Sequence, residues 1–246
     1  MPEGSSERRV ALVTGANKGI GREIARRLLQ QDYTVWVGCR DRRRGEAAIF
    51  GLNGVGKYAR LLQIDVTDDD SVKAAAETLG QESGRLDVLV NNAGIATSYG
   101  QPPSLEPVEL MKTIYETNVF GAVRVTQIFL PLLKASLTPR IVMMSSGLGS
   151  LANGLDPAHE VFERNLMAYS SSKTALNAIT VAFAKELGPM GFKVNAADPG
   201  HTATDLNRNA GPRTVEQAAE VAIRLATLGD DGPNAGYFND QGALPW

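Results

Sequence analysis

The chain has 246 residues, 43% hydrophobic and 21% charged, which is enough apolar material for a large core and is the ordinary balance of a globular α/β unit. A net charge of -2 supplies no basic field for nucleic acid or an anionic membrane surface, and both partners are set aside. One cysteine, Cys39, and two histidines, His159 and His201, provide neither a disulfide nor a metal-ligand cluster.

Residues 1–9 are polar and lack the apolar stretch of a secretory signal. No run approaches the roughly 20 apolar residues of a membrane span, so a cytoplasmic protein is expected. Val10 to Val13 is a short apolar run that stops at Thr14-Gly15, the pattern of a strand buried on both faces. Thr14-Gly-Ala-Asn-Lys-Gly-Ile-Gly21 follows, and then a helical pattern over residues 22–31. Strand, glycine loop and helix in direct succession place a helix N-terminus and its unpaired N–H groups where a pyrophosphate docks. Gly15, Gly19 and Gly21 let backbone approach ligand, with Asn17, Lys18 and Ile20 between them. The spacing G-x-x-x-G-x-G departs from the G-x-G-x-x-G fingerprint, which leaves a structural turn as the competing reading; its position after the first strand favours a cofactor.

Residues 33–39 form the second strand, rich in β-branched and aromatic side chains. NAD-specific sites place an Asp or Glu at the end of this strand for the ribose 2′-hydroxyl, whereas here Cys39 is followed by Arg40, which suits a 2′-phosphate. Asp41 keeps an NAD reading open, while Arg42, Arg43 and Arg44 read as the solvated start of the next helix. Lys18 is a second cation near the same phosphate and tips the expectation to NADP(H).

Residues 59–66 are a third strand ending in Asp65-Val66, followed over 68–83 by a helix with an acidic first turn. A fourth strand over 86–90 runs into Asn91-Asn-Ala-Gly94, small and polar residues against which a flat ligand can lie. Prolines 102, 103 and 107 mark a loop before a long helix over about 108–134, with Asn118 near its middle, either a packing accident or a placed polar group. A fifth strand over 139–146 delivers Ser145 and Ser146 to the carboxyl edge of the sheet, where open α/β sheets bind ligands.

The run 165–187 has helical periodicity and contains Tyr169-Ser-Ser-Ser-Lys173. Residues four apart share a helix face, so the Tyr169 phenol and the Lys173 ammonium can meet, and a fixed cation there is expected to bring the phenol down toward the working range. Alone, such a pair is a weak signal, and a solvated helix pair competes with it. A sixth strand over 192–198 leads into Pro199-Gly-His-Thr-Ala-Thr204; a last helix over 215–228 and a short seventh strand over 235–239 follow. No repeat or interdomain linker is found. Alternating strands and helices predict one domain over 1–246, with a Rossmann-type, doubly wound, seven-stranded, mostly parallel sheet.

Taken together, Thr14–Gly21, Asn91–Gly94, Asn118, Ser146, Tyr169-x-x-x-Lys173 and Pro199-Gly200, in this order across the chain, resemble the short-chain dehydrogenase/reductase family. The Asn17-Lys18 pair, Cys39-Arg40 and the Gly-Tyr-Phe tail look most like its NADPH-dependent carbonyl reductase branch. The resemblance implies hydride transfer between NADP(H) and a carbonyl or alcohol carbon, with Tyr169 as proton donor in reduction. Lys173 would lower its pKa and hold the nicotinamide ribose, Ser146 would bind the substrate carbonyl, and Asn118 would hold a water linking Lys173 to solvent. Asp65 and Val66 would contact adenine, Asn91, Ala93 and Gly94 would pack on the ribose and pyrophosphate side, and Pro199, Gly200, Thr202 and Thr204 would border the nicotinamide.

Ser146 precedes Tyr169 by 23 positions (169 minus 146), about ten more than the family usually has, with the excess around 153–165. It reads either as a surface insertion or as a flap that lines the substrate pocket or covers a helix face used for dimerisation; a monomer is plausible on the last reading. His159 is expected at the surface, and His201 in a structural or cofactor-packing role. The leading function is reduction of a ketone or aldehyde; an NADP-dependent alcohol dehydrogenase or C=C reductase is the alternative. A cofactor-binding sensor is a third reading, against which the presence of both Tyr169 and Lys173 argues. Ile95, Leu148, Leu155 and Leu206 are the expected pocket residues, and their apolar character points to a medium-sized neutral carbonyl compound.

Overall fold

The computed structural model describes residues 8–52, 54–96 and 101–246. Seven strands, β1 (Val10–Val13), β2 (Thr34–Cys39), β3 (Ala59–Gln63), β4 (Val88–Asn91), β5 (Arg140–Met144), β6 (Lys193–Ala197) and β7 (Tyr237–Phe238), form one sheet in the order β3-β2-β1-β4-β5-β6-β7. Every pairing in it is parallel. Parallel strands are covered on both faces, and the central β1, β4 and β5 are buried at every position. The edge strand β3 is instead only partly buried, at Ala59 and Leu62.

Helices fill both faces. On one, α1 (Gly19–Gln30), α2 (Arg42–Phe50) and α8 (Val215–Ala226) enclose a core that includes Ile24, Leu28, Val35, Val142 and Ala222. On the other, α3 (Asp69–Ser83), α5 (Ala122–Lys134) and α7 (Met167–Leu187) pack Val72, Leu79, Phe129 and Leu176 against Leu12, Leu89 and Ile141. Each such fully buried side chain contributes roughly 1.5–3 kcal/mol of transfer free energy. Local chemistry sets the helix ends. Asp68 caps α3 by accepting from the N–H groups of Asp70 and Ser71, and Gly84 ends it in the left-handed region at φ 69°. Thr214 and Gln217 close a reciprocal capping box on α8.

The expected long helix over 108–134 is present but interrupted: α4 (Val108–Tyr115) and α5 are joined through a π-helical segment, Glu116–Gly121. Asn118 sits inside that segment, so it is a placed polar group. The residues around 153–165 form a short helix, α6 (Leu151–Leu155), and a run of turns up to α7.

Candidate active site

The sheet order reverses at β1, which has β2 on one side and β4 on the other, and a crevice forms beyond the carboxyl ends at such a switch point. A groove of about 1080 Å³ lies there, large for a small-molecule site. Its near wall is the loop from β1 to α1. Gly15 and Gly19 take positive φ, 64° and 54°. A Cβ at Gly15 would lie 3.0 Å from the Ala93 Cα and one at Gly21 only 2.4 Å from the Asn92 amide, so the loop fits against the end of β4 only as glycine. Lys18, at the N-cap of α1, offers no side-chain cap, and the first turn holds no acid. By contrast, α2, α3, α6 and α8 are all capped by side chains. The open N–H groups of α1 therefore end in the groove wall, where an anion completes them.

One end of the groove is cationic. Lys18, Arg22, Arg40 and Arg44 line it together with Asp41 and Asp65. Arg40 is 3.9 Å from Asp65, and its side chain is 80% exposed. One Asp41 oxygen accepts from the N–H of Arg44 to cap α2. Lys18 reaches across to Asp205, 2.7 Å away, on the opposite lip. Glycine cradle, open helix end and cationic rim fit a dinucleotide phosphate chain.

The other end runs past Ala93, Gly94, Ile95 and Thr117. A Cβ at Gly94 would lie 3.4 Å from Asn118 Oδ1 and 3.6 Å from Lys173 Nζ, so the groove floor rests on these two side chains. Asn118 Oδ1 accepts from the Ile95 N–H, and its amide donates to the Ile95 carbonyl and to the Ser172 hydroxyl. Lys173 Nζ donates to the Met144 carbonyl at 2.7 Å and lies 5.6 Å from the centroid of the Tyr169 ring. Burial pushes the Tyr169 phenol up to about 12, opposed by the Ser146 hydroxyl and reinforced by Asp198. Burial pushes Lys173 down to about 8.

The residues around 153–165 reach the loop that carries Ser146 and the loop that carries His201. Val161 Cγ1 is 3.8 Å from where a Gly147 Cβ would be, beside Ser146, and Arg164 lies 3.3 Å from His201 Nδ1.

A family model described as short chain dehydrogenase matches residues 9–214. The chain belongs to the short-chain dehydrogenase family. It is 34% identical over 308 aligned positions to (-)-isopiperitenone reductase of Mentha piperita, covering 96% of this chain and 98% of that protein. It is 32% identical to salutaridine reductase of Papaver bracteatum, covering 97% and 96%. Among solved structures, NADPH-bound carbonyl reductase from chicken fatty liver matches with a TM-score of 0.85 at 28% identity, over 98% of this chain and 100% of that one. Salutaridine reductase from Papaver somniferum gives 0.81 at 31%, over 95% and 100%.

In this short-chain dehydrogenase, Gly15, Asn17, Lys18, Gly19, Ile20, Gly21, Arg40, Asp65, Val66, Ala93, Gly94 and Thr204 all line the groove. Asn91 does not. As the last residue of β4 it is turned into the core, donating to the Thr126 hydroxyl and the Met143 sulfur. Its neighbour Asn92 takes the expected place, bonding the Thr14 and Gly15 carbonyls. Pro199, Gly200 and Thr202 build the loop behind Thr204, with the Thr202 hydroxyl bonded to the Pro199 and Gly200 carbonyls. The expected lowering of the Tyr169 phenol by Lys173 is not found: burial dominates and pushes the phenol up. Both donor hydrogens of the Asn118 side chain are taken by protein partners. Arg44 and Asp205 were not read as groove residues; Arg44 is one turn into a helix that starts at the groove, a position its spacing from Arg40 already contained.

Proposed function

We propose that this short-chain dehydrogenase uses NADPH to reduce a neutral, largely apolar ketone or aldehyde, with Tyr169 as proton donor. The observation that carries the reading is Gly94: the floor of the dinucleotide groove lies within contact distance of Lys173 and Asn118, so a ring resting there meets the Tyr169–Ser146 pair. NADPH, when bound, supplies the hydride to the carbonyl carbon. The glycine loop and the open end of α1 bind the pyrophosphate, and Arg40, Arg44 and Lys18 hold the 2′-phosphate. Asp65 and Val66 flank the adenine, and Thr204 lies on the nicotinamide side. Asn118 fixes the Ile95 backbone and Ser172 on α7, and so holds groove floor and catalytic helix together.

Ser146 donates to the substrate oxygen and orients it. Tyr169, pushed up to about 12, remains protonated at neutral pH, the state a donor requires. The alkoxide that forms is a far stronger base than a phenolate, so the proton moves downhill to it. Lys173, at about 8, is still charged at neutral pH and steadies the phenolate left behind. Ile95 lines this end of the groove and Val161 packs beside Gly147, apolar side chains that favour a substrate without charge. Relatives named for isopiperitenone, salutaridine and carbonyl reduction support the same direction. The (+)-neomenthol dehydrogenase of Capsicum annuum, 30% identical, gives alcohol oxidation as the second reading.

The test is oxidation of NADPH, and separately NADH, against a panel of cyclic ketones, enones and aldehydes, with products identified. Carbonyl-dependent turnover yielding the alcohol supports the proposal. Saturated ketone from an enone moves the assignment to C=C reduction, and tight NADPH binding with no turnover in either direction moves it to a sensor.

A further inference from the structure

The loop that carries Ser146 is held from two sides. On the α7 side, Asn177 Oδ1 pairs with the Ser145 hydroxyl at 2.6 Å and its amide donates to the Gly149 carbonyl. On the opposite side stands Tyr237 of β7, 1% exposed. Its hydroxyl donates to the main-chain carbonyl of Ser146, which also accepts from the Gly149 N–H at 2.7 Å. Burial pushes the Tyr237 phenol well up, so it stays a donor throughout the range in which enzymes are assayed. The Tyr237 ring is in turn stacked on Trp246, centroids 5.4 Å apart and planes 17° apart. Trp246 is itself tied down: its carbonyl accepts from the Ala152 N–H in α6, and the Leu244 N–H donates to the Tyr237 carbonyl. A buried hydroxyl whose donor is aimed at the backbone of one residue fixes where that residue's side chain begins.

We infer that Tyr237 is a positioning residue for Ser146, holding the serine's backbone so that its hydroxyl faces Tyr169 and the substrate oxygen, and that the stack on Trp246 keeps Tyr237 in that place. This rests on Ser146 acting as proposed above. Two consequences separate positioning from mere packing. A group that only positions Ser146 lowers kcat and leaves NADPH binding as it was. A group that acts only through Ser146 also has no effect once the Ser146 hydroxyl is gone.

Tyr237→Phe keeps the ring and the stack and removes only the O–H, while the Ser146 carbonyl keeps its Gly149 partner. Steady-state rates of carbonyl reduction are measured for this variant, for Ser146→Ala and for the double variant. The expected result is a loss of about tenfold to hundredfold in kcat, the scale of a small misplacement of a catalytic group, with KM for NADPH unchanged. Tyr237→Phe changes nothing further in the Ser146→Ala background. An unchanged kcat, or the same fold-loss in both backgrounds, overturns the inference. If Tyr237→Phe does not fold, Trp246→Ala goes through the same cycle, with a smaller loss in the same direction expected and the same two results overturning it. Full turnover by Ser146→Ala would instead remove the reading beneath the inference, and with it the inference.

Discussion

Arg40 offers a quantitative test of cofactor choice. Its guanidinium stands at the end of β2, 3.9 Å from Asp65 and 80% exposed, on the rim of the groove. A 2′-phosphate carries about -1.5 to -2 charges at neutral pH, and each unit pair at about 4 Å in bulk-like solvent is worth about 1 kcal/mol. Screening at about 0.15 M salt trims this by roughly half. Arg40→Asp removes the attraction and adds a repulsion of similar size, about 2 kcal/mol in all, or about thirtyfold in affinity. The assay is initial-rate absorbance with either cofactor varied, at two ionic strengths. NADPH should lose about thirtyfold in kcat/KM, less at high salt, while NADH, which lacks the phosphate, keeps its value. Equal losses for the two cofactors at both salt concentrations would refute the reasoning.

Burial holds Lys173 near 8 when folded against 10.5 unfolded. Between those values the unfolded chain binds more protons, so this residue makes stability rise with pH across the window. Urea unfolding of wild type and Lys173→Met at about pH 8 and about pH 10 should show wild type gaining on the variant; parallel curves would show that Lys173 is not desolvated. A Cβ at Gly149 would lie 2.9 Å from the carbonyl carbon and from the Cβ of Lys173, against helix backbone that cannot yield. Gly149→Ala should therefore cost about 1–3 kcal/mol, lower Tm and reduce kcat by lifting the Ser146 loop. An unchanged Tm would show that this contact is loose.

The alternation of strand and helix was readable because the strands of a doubly covered sheet are unbroken apolar runs, as in Val10–Val13, and because the glycine loop follows the first of them directly. What was not readable depends on partners distant in sequence. Asn91 and Asn92 are chemically identical, and only the approach of Thr126 and Met143 to one, and of Thr14 and Gly15 to the other, decides which faces the groove. The π-helical segment at Asn118 likewise arises where its amide reaches Ile95 and Ser172, across 23 and 54 positions. Spacing put Tyr169 and Lys173 on one helix face, but the direction of their pKa shifts came from burial. Tyr237 was readable only as part of the Gly-Tyr-Phe tail and a short seventh strand; its contact with Ser146 follows from the register of β7 beside β6.

The central claim is that Tyr169 gives the proton in a carbonyl reduction. It is tested most directly by Tyr169→Phe, with NADPH affinity followed by fluorescence and turnover by NADPH oxidation on the same carbonyl substrate. The account predicts unchanged NADPH affinity and a fall in kcat of about 10²–10⁴. Near-normal turnover by Tyr169→Phe would contradict it and place the proton donor elsewhere.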